Sequence, residues 1–249
     1  MKTKIIFLSA IIITTTCIAR AVPVGTINII HTGFGAKAPV RVWGGGFTNV
    51  NMYGGVYMFK KTAGTGQGEL LDNGSFAGVC MEIPQGAPVG LTTYNVVMPE
   101  EAQNPPDFLG GPIGAQKAEY LTELWGRFFD NNWMGSGPFT SLQNSNAAAF
   151  SAAVWEIVYE DLPASSAGWD VTVDGTAGNR GFHCTSAGTT TTTANNWLQS
   201  LDGSNGADLR ALVYPTKQDY LVEVPEPATM IFLGMGTLLL IRKHRTKSN

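Results

Sequence analysis

Residues 27–62 read INIIHTGFGAKAPVRVWGGGFTNVNMYGGVYMFKKT. Short runs of β-branched and aromatic residues alternate with Gly44-Gly45-Gly46, Asn51 and Gly54-Gly55. Such runs favour extended backbone, and the glycines supply turns between them. The stretch predicts short antiparallel strands packed as a sandwich or barrel. Further strands are expected from FAGVCMEI at 76–83, TTYNVVM at 92–98 and GWDVTVDG at 168–175. DYLVEVPEP at 219–227 would supply the last strand.

The middle of the chain changes period. In GAQKAEYLTELWGRFFDNNW, Ala118, Leu121, Leu124, Trp125, Phe128 and Phe129 recur at helical spacing, with Lys117, Glu119, Glu123 and Arg127 largely on the other side. NSNAAAFSAAVWEIVYED at 144–161 predicts a second helix, with Asn146 as its cap, a stripe of Phe150, Val154 and Ile157, and Pro163 beyond its end. TTTANNWLQSLDG predicts a short third helix at about 193–202. The expected fold class is α+β: an antiparallel β-sandwich or barrel with an inserted helical subdomain. No period of 20–50 residues repeats, which excludes a solenoid.

Composition narrows the function classes. Of 249 residues, 44% are hydrophobic and only 14% charged, and 30 are glycine. About 25% charge is usual for a soluble domain, so this balance suits an exported, loop-rich protein. The net charge of −3 hides a polarity along the chain. Seven of the 16 bases lie at the ends, at Lys2, Lys4, Arg20, Arg242, Lys243, Arg245 and Lys247. The remaining nine face 19 acids, a net of −10. An acidic body repels nucleic acid, which is excluded as a partner.

The first 21 residues carry two lysines, an apolar run from Ile5 to Ile13 and the small-x-small site Ala19-Arg20-Ala21. This is the pattern of a secretory signal peptide, read by the Sec export machinery. Its removal takes Cys17 away and leaves Cys80 and Cys184. An oxidising compartment permits these two to pair, while a buried free thiol at Cys80 is the other reading. At the far end, Val224-Pro225-Glu226-Pro227 precedes 14 uncharged residues, Ala228 to Ile241, and then Arg242, Lys243 and Arg245. As a helix those residues would span about 21 Å against a bilayer core of about 30 Å. The bases behind them would hold that end on the cytoplasmic side. The two prolines keep the preceding segment extended.

This tail resembles the PEP-CTERM sorting signal, with triplet, short transmembrane helix and basic end in the family's order. The resemblance implies processing near the triplet by exosortase, a membrane-embedded cysteine peptidase. It also implies a cell surface or extracellular matrix destination after transient inner-membrane anchoring, often in a biofilm or exopolysaccharide setting. The chain then divides into a leader at 1–21, a body at 22–223 and a sorting signal at 224–249.

The body resembles the thioester domains of bacterial surface proteins. Phe76-Ala77-Gly78-Val79-Cys80-Met81-Glu82-Ile83 looks like that family's cysteine strand. Ala148 to Ile157, with Trp155, looks like its Gln-x-Ala-Ile-Trp helix. The resemblance implies an internal thioester between the cysteine and the glutamine of that helix, and covalent attachment to an amine on a target surface. Aligning Trp155 puts Ser151 at the glutamine position, and serine has no acyl carbon to give. Gln116 and Gln143 are the substitutes considered. The expectation is therefore a non-enzymatic, non-catalytic binding or structural body that meets extracellular polysaccharide or a surface protein. A covalent adhesin using a Cys–Gln thioester is the alternative.

Other chemistry is sparse. The sequence holds no Gly-x-Ser-x-Gly, His-Glu-x-x-His, phosphate loop or Cys-x-x-Cys. No metal or cofactor is implied. Glu156, Glu160 and Asp161 read as a solvated helix face. The threonines at 189–193 point in all directions on any backbone, so they read as a loop or a helix entry.

Overall fold

The computed structural model describes residues 22–104, 110–173, 181–204 and 206–225. Seven antiparallel strands and three helices make a mixed α+β molecule. In chain order these are β1 (Gly25–Gly44), β2 (Phe47–Gly66), β3 (Ser75–Cys80), β4 (Leu91–Val97), α1 (Ala115–Phe128), α2 (Ser141–Tyr159), β5 (His183–Thr185), α3 (Thr190–Gln199), β6 (Leu209–Val213) and β7 (Tyr220–Glu223). The strands pair in the order β2-β3-β7-β6-β4-β1-β5, and β1 also pairs with β2. Six strands thus close into a ring, and β5 is added to the far half of β1 at Arg41–Trp43.

The opening stretch departs from the short strands expected of it. β1 and β2 are 20 residues each and form one long hairpin, turned at Gly44, Gly45 and Gly46 with φ of 127°, 59° and 79°. Left-handed backbone of this kind is accessible to glycine and costly for other residues. The inner glycines do not end the strands. The register shifts between Asn28 and Ile29, between His31 and Gly33, and between Phe34 and Lys37. Each irregularity takes up extra residues while the ladder continues. This is why the run looks punctuated in sequence and is continuous in space.

The near half of the hairpin, with β3, β4, β6 and β7, encloses one apolar cluster. Ile27, Ile29, Phe59, Phe76, Tyr94, Val96, Leu212, Tyr220 and Val222 fill it. The far half is a platform for α2, whose Ala147–Val158 segment is buried against both strands and the other helices. Contact is closest at Gly54, where an added Cβ would meet the Ala148 carbonyl oxygen at 3.1 Å. Ser151 Oγ accepts from Gly55 N at 2.8 Å and donates to Gly55 O at 3.2 Å. A longer side chain at 151 has no room in that crossing.

Several local expectations change. α2 begins at Ser141 rather than at Asn146, because Thr140 and Gln143 form a reciprocal capping box. Residues 168–173 do not supply the strand expected at 168–175, whose last two residues lie outside the described ones: Ser166–Gly168 is a 3₁₀ turn and Val171 N donates to Asn195 Oδ1 at 2.9 Å. β5 and β6, too short or too uniformly apolar to show a period, were not expected. α3 starts within the threonine run, as a helix entry would. Half of the polar face expected on α1 is buried: Lys117 and Glu123 are covered, while Glu119 and Arg127 stay exposed. Lys117 Nζ donates to Val158 O at 3.1 Å, placing a cation at the C-terminal end of α2. Glu123 accepts from the backbone N–H groups of Asp202 and Gly203 at 2.9 and 2.7 Å. Among the described residues no helix is long and apolar enough to cross a membrane. The leader and the sorting helix expected from sequence lie outside the described residues.

Candidate functional site

Cys80 is the last residue of β3 and pairs with Tyr220 of β7. Gln218 lies two residues before Tyr220. Alternation along extended backbone therefore puts Cys80, Tyr220 and Gln218 on one side of the sheet. The Gln218 Nε2 and Cys80 Sγ are 2.8 Å apart, although 138 residues separate them in the chain. Both are buried, with 1% of Cys80 and 6% of Gln218 exposed.

Every polar atom of Gln218 is held. Its N donates to Gly86 O at 3.1 Å, and its carbonyl oxygen accepts from Tyr94 Oη at 3.1 Å. Nε2 donates to Glu82 O at 3.1 Å, and Oε1 accepts from Tyr220 Oη at 3.0 Å. The carbonyl of Glu82 has no hydrogen to give, so the amide nitrogen must face it. That fixes Oε1 toward Tyr220 and Nε2 toward the Cys80 sulfur.

Helix α2 closes the site from behind. Tyr159 Oη accepts from Ile83 N at 2.8 Å, clipping the turn that follows Cys80 to the helix. Burial pushes the Cys80 thiol well above its usual range, while Trp155 and the Glu82 backbone pull the other way. The Trp155 Nε1 is buried beside the thiol without a hydrogen-bond partner of normal geometry. Glu82 and Asp219 lie beside the pair and are both pushed up by burial; the charge of Glu82 raises Asp219 further, while the Asp219 backbone draws Glu82 down. Together these groups hold the thiol as S–H beside an immobilised amide in a pocket with little water. An amide nitrogen within hydrogen-bond distance of a thiol, both buried, brings together the two groups of a Cys–Gln acyl transfer.

The expected site residues fall as follows. Cys80 is in the site, but Cys184 is not bonded to it, and both are free buried thiols. Cys184 sits on β5 opposite Val42, and its thiol is pushed up to about 12, by burial first and Glu156 second. Ser151 clamps the hairpin and has no part in the chemistry. Gln116 is exposed on α1, and Gln143 is spent in the α2 capping box. The glutamine that reaches Cys80 is Gln218, which sequence reasoning missed. The helix motif contributes its tryptophan instead.

Val224 and Pro225 continue from β7, with Val224 N donating to Asp208 O at 2.8 Å. Glu226, Pro227, Arg242, Lys243 and Arg245 lie outside the described residues. Glu156 and Glu160 are not a solvated face, since each is 3% exposed. Glu156 accepts from Asp170 N at 3.0 Å, and Glu160 accepts from Phe182 N. Burial, then the charge of Glu160, pushes the Glu156 carboxyl up to about 9. Among the described residues no group of His, Cys, Asp and Glu is placed to hold a metal ion. Comparisons with protein-family models, with curated proteins and with solved structures returned no match.

Proposed function

We propose that the chain is an exported envelope protein whose body joins covalently to amines through an internal Cys80–Gln218 thioester. The observation that carries this reading is the 2.8 Å contact between the Gln218 amide and the Cys80 sulfur inside a water-poor pocket. In the closing step Cys80 Sγ adds to the Gln218 acyl carbon. The C–N bond breaks, the thiol proton leaves with the amide nitrogen, and ammonia departs. In the firing step an amine nitrogen adds to the same carbon, the C–S bond breaks, and the proton lost by the amine returns to the sulfur. The product is an amide linking Gln218 to the target, with Cys80 restored as a thiol. The cycle is used once, so the body is a reactive adhesin and not an enzyme.

The signal-peptide pattern and the PEP-CTERM-like tail support delivery to the surface. Export would precede transient anchoring by the apolar tail, exosortase processing near Pro225-Glu226-Pro227, and release to the cell surface or matrix. The amine donor would be a surface protein or an amino-bearing matrix polymer. The reading is tested by mass. A closed thioester makes the chain lighter by one ammonia, about 17 Da, and takes up methylamine. A purely binding body keeps its full mass and ignores the amine. For delivery, mature protein should lack both the leader and the basic tail, and an intact C-terminus on surface material would overturn that part.

A further inference from the structure

We infer that the hydroxyl of Tyr220 is the oxyanion donor for closing and firing the thioester. The inference rests on the thioester reading and adds the group that would drive it.

Tyr220 Oη already donates to Gln218 Oε1 at 3.0 Å in the open state. That oxygen gains negative charge when either sulfur or an amine adds to the acyl carbon. A donor fixed in advance on such an oxygen stabilises the transition state more than the ground state. The Tyr220 ring cannot swing away. It is fully buried, edge-on to Phe59 at 4.7 Å, and packed against Tyr57 at 5.1 Å between ring centroids. Tyr57 projects from β2 and backs the Tyr220 ring. Burial pushes the Tyr220 phenol far up, so it keeps the proton it must donate.

The test uses the full exported chain and its Tyr220→Phe and Tyr53→Phe variants. Each removes one oxygen and leaves the ring, and Tyr53 is an exposed ring on β2 beside Lys37. Two readouts are taken from intact mass: the share of molecules lacking ammonia, and the rate of methylamine uptake. Thermal unfolding is followed alongside. Loss of the donor is expected to slow uptake by roughly tenfold to a hundredfold, or to leave much of the protein unclosed. That result is expected for Y220F at near-wild-type melting temperature, with Y53F matching wild type. If Y220F does not fold, the infrared carbonyl stretch of the wild-type thioester carries the test: a hydrogen-bonded carbonyl absorbs below a free one, and the free-carbonyl frequency would overturn the assignment. Wild-type closure and uptake in Y220F would overturn the oxyanion assignment and leave the thioester standing. Full mass in the wild-type protein would overturn both.

Discussion

Gln218 supplies an amide that Ser151 cannot, and the two sites are distinguishable by substitution. Cys80→Ala and Gln218→Glu should each keep the full mass and ignore methylamine, since one lacks the thiol and the other presents a carboxylate in place of an acylating amide. Adding Ser151→Gln to the Gln218→Glu variant should not restore uptake and should destabilise the protein, because position 151 sits against Gly54 and Gly55. Uptake in that double variant would return the chemistry to the helix. A second residue-level expectation concerns Glu156, whose folded value near 9 lies above the ordinary 4.5. The folded state binds the extra proton between those values, so its contribution is intact below pH 4.5 and is lost as pH rises toward 9. The slope is at most about 1.4 kcal/mol per pH unit. Glu156→Gln keeps an oxygen for Asp170 N and removes the charge. Urea unfolding at pH 5 and pH 8 should show the variant gaining on wild type by a few kcal/mol at the higher pH. Parallel loss in both proteins would contradict the assignment. The cysteine and the tryptophan were legible from short motifs. Gln218 was not, because a lone glutamine before a strand carries no periodic signal.

At the scale of elements, the crossing of α2 over β2 controls the site, since α2 carries both Trp155 and Tyr159. Gly54→Ala would put a methyl 3.1 Å from the Ala148 carbonyl oxygen and 3.3 Å from Ser151 Cβ. Neither backbone can yield easily, so a loss of about 1–2 kcal/mol is expected. Methylamine uptake should change with it, because the helix that backs the sulfur must lift. The helix cap gives the contrast. Thr140→Ala removes the capping box, about 1 kcal/mol, at the end of α2 remote from Trp155. Stability should fall while the reactivity of folded protein is kept. Equal effects of both variants on uptake would mean that the crossing has no special role. All three helices were legible from their period, within about five residues at either end. The burial of Lys117, Glu123, Glu156 and Glu160 was not, since their partners are backbone groups from turns at 170, 182, 202 and 203 and the end of α2. A charged residue on a helix looks solvated until the loop that needs its charge is known.

For the whole molecule, closure of the strand ring performs the function proposed. β3 and β7 are distant in sequence, and their pairing is what carries Gln218 to Cys80. The α+β class, the antiparallel pairing and most strands could be read from composition and alternation. The order of strands could not, because every strand in this ring is antiparallel and apolar on one face, and many orders satisfy that pattern equally. The chemistry was hidden for the same reason: it is a property of which strands are neighbours. Delivery to the surface rests on the two ends of the chain, and reactivity rests on the ring alone, so the two can fail separately. The direct test is the intact mass of the exported protein before and after methylamine. A chain about 17 Da light that gains one methylamine at Gln218, with the loss abolished in Cys80→Ala, is the expected result. A wild-type chain of full mass that leaves Gln218 unmodified would contradict the account.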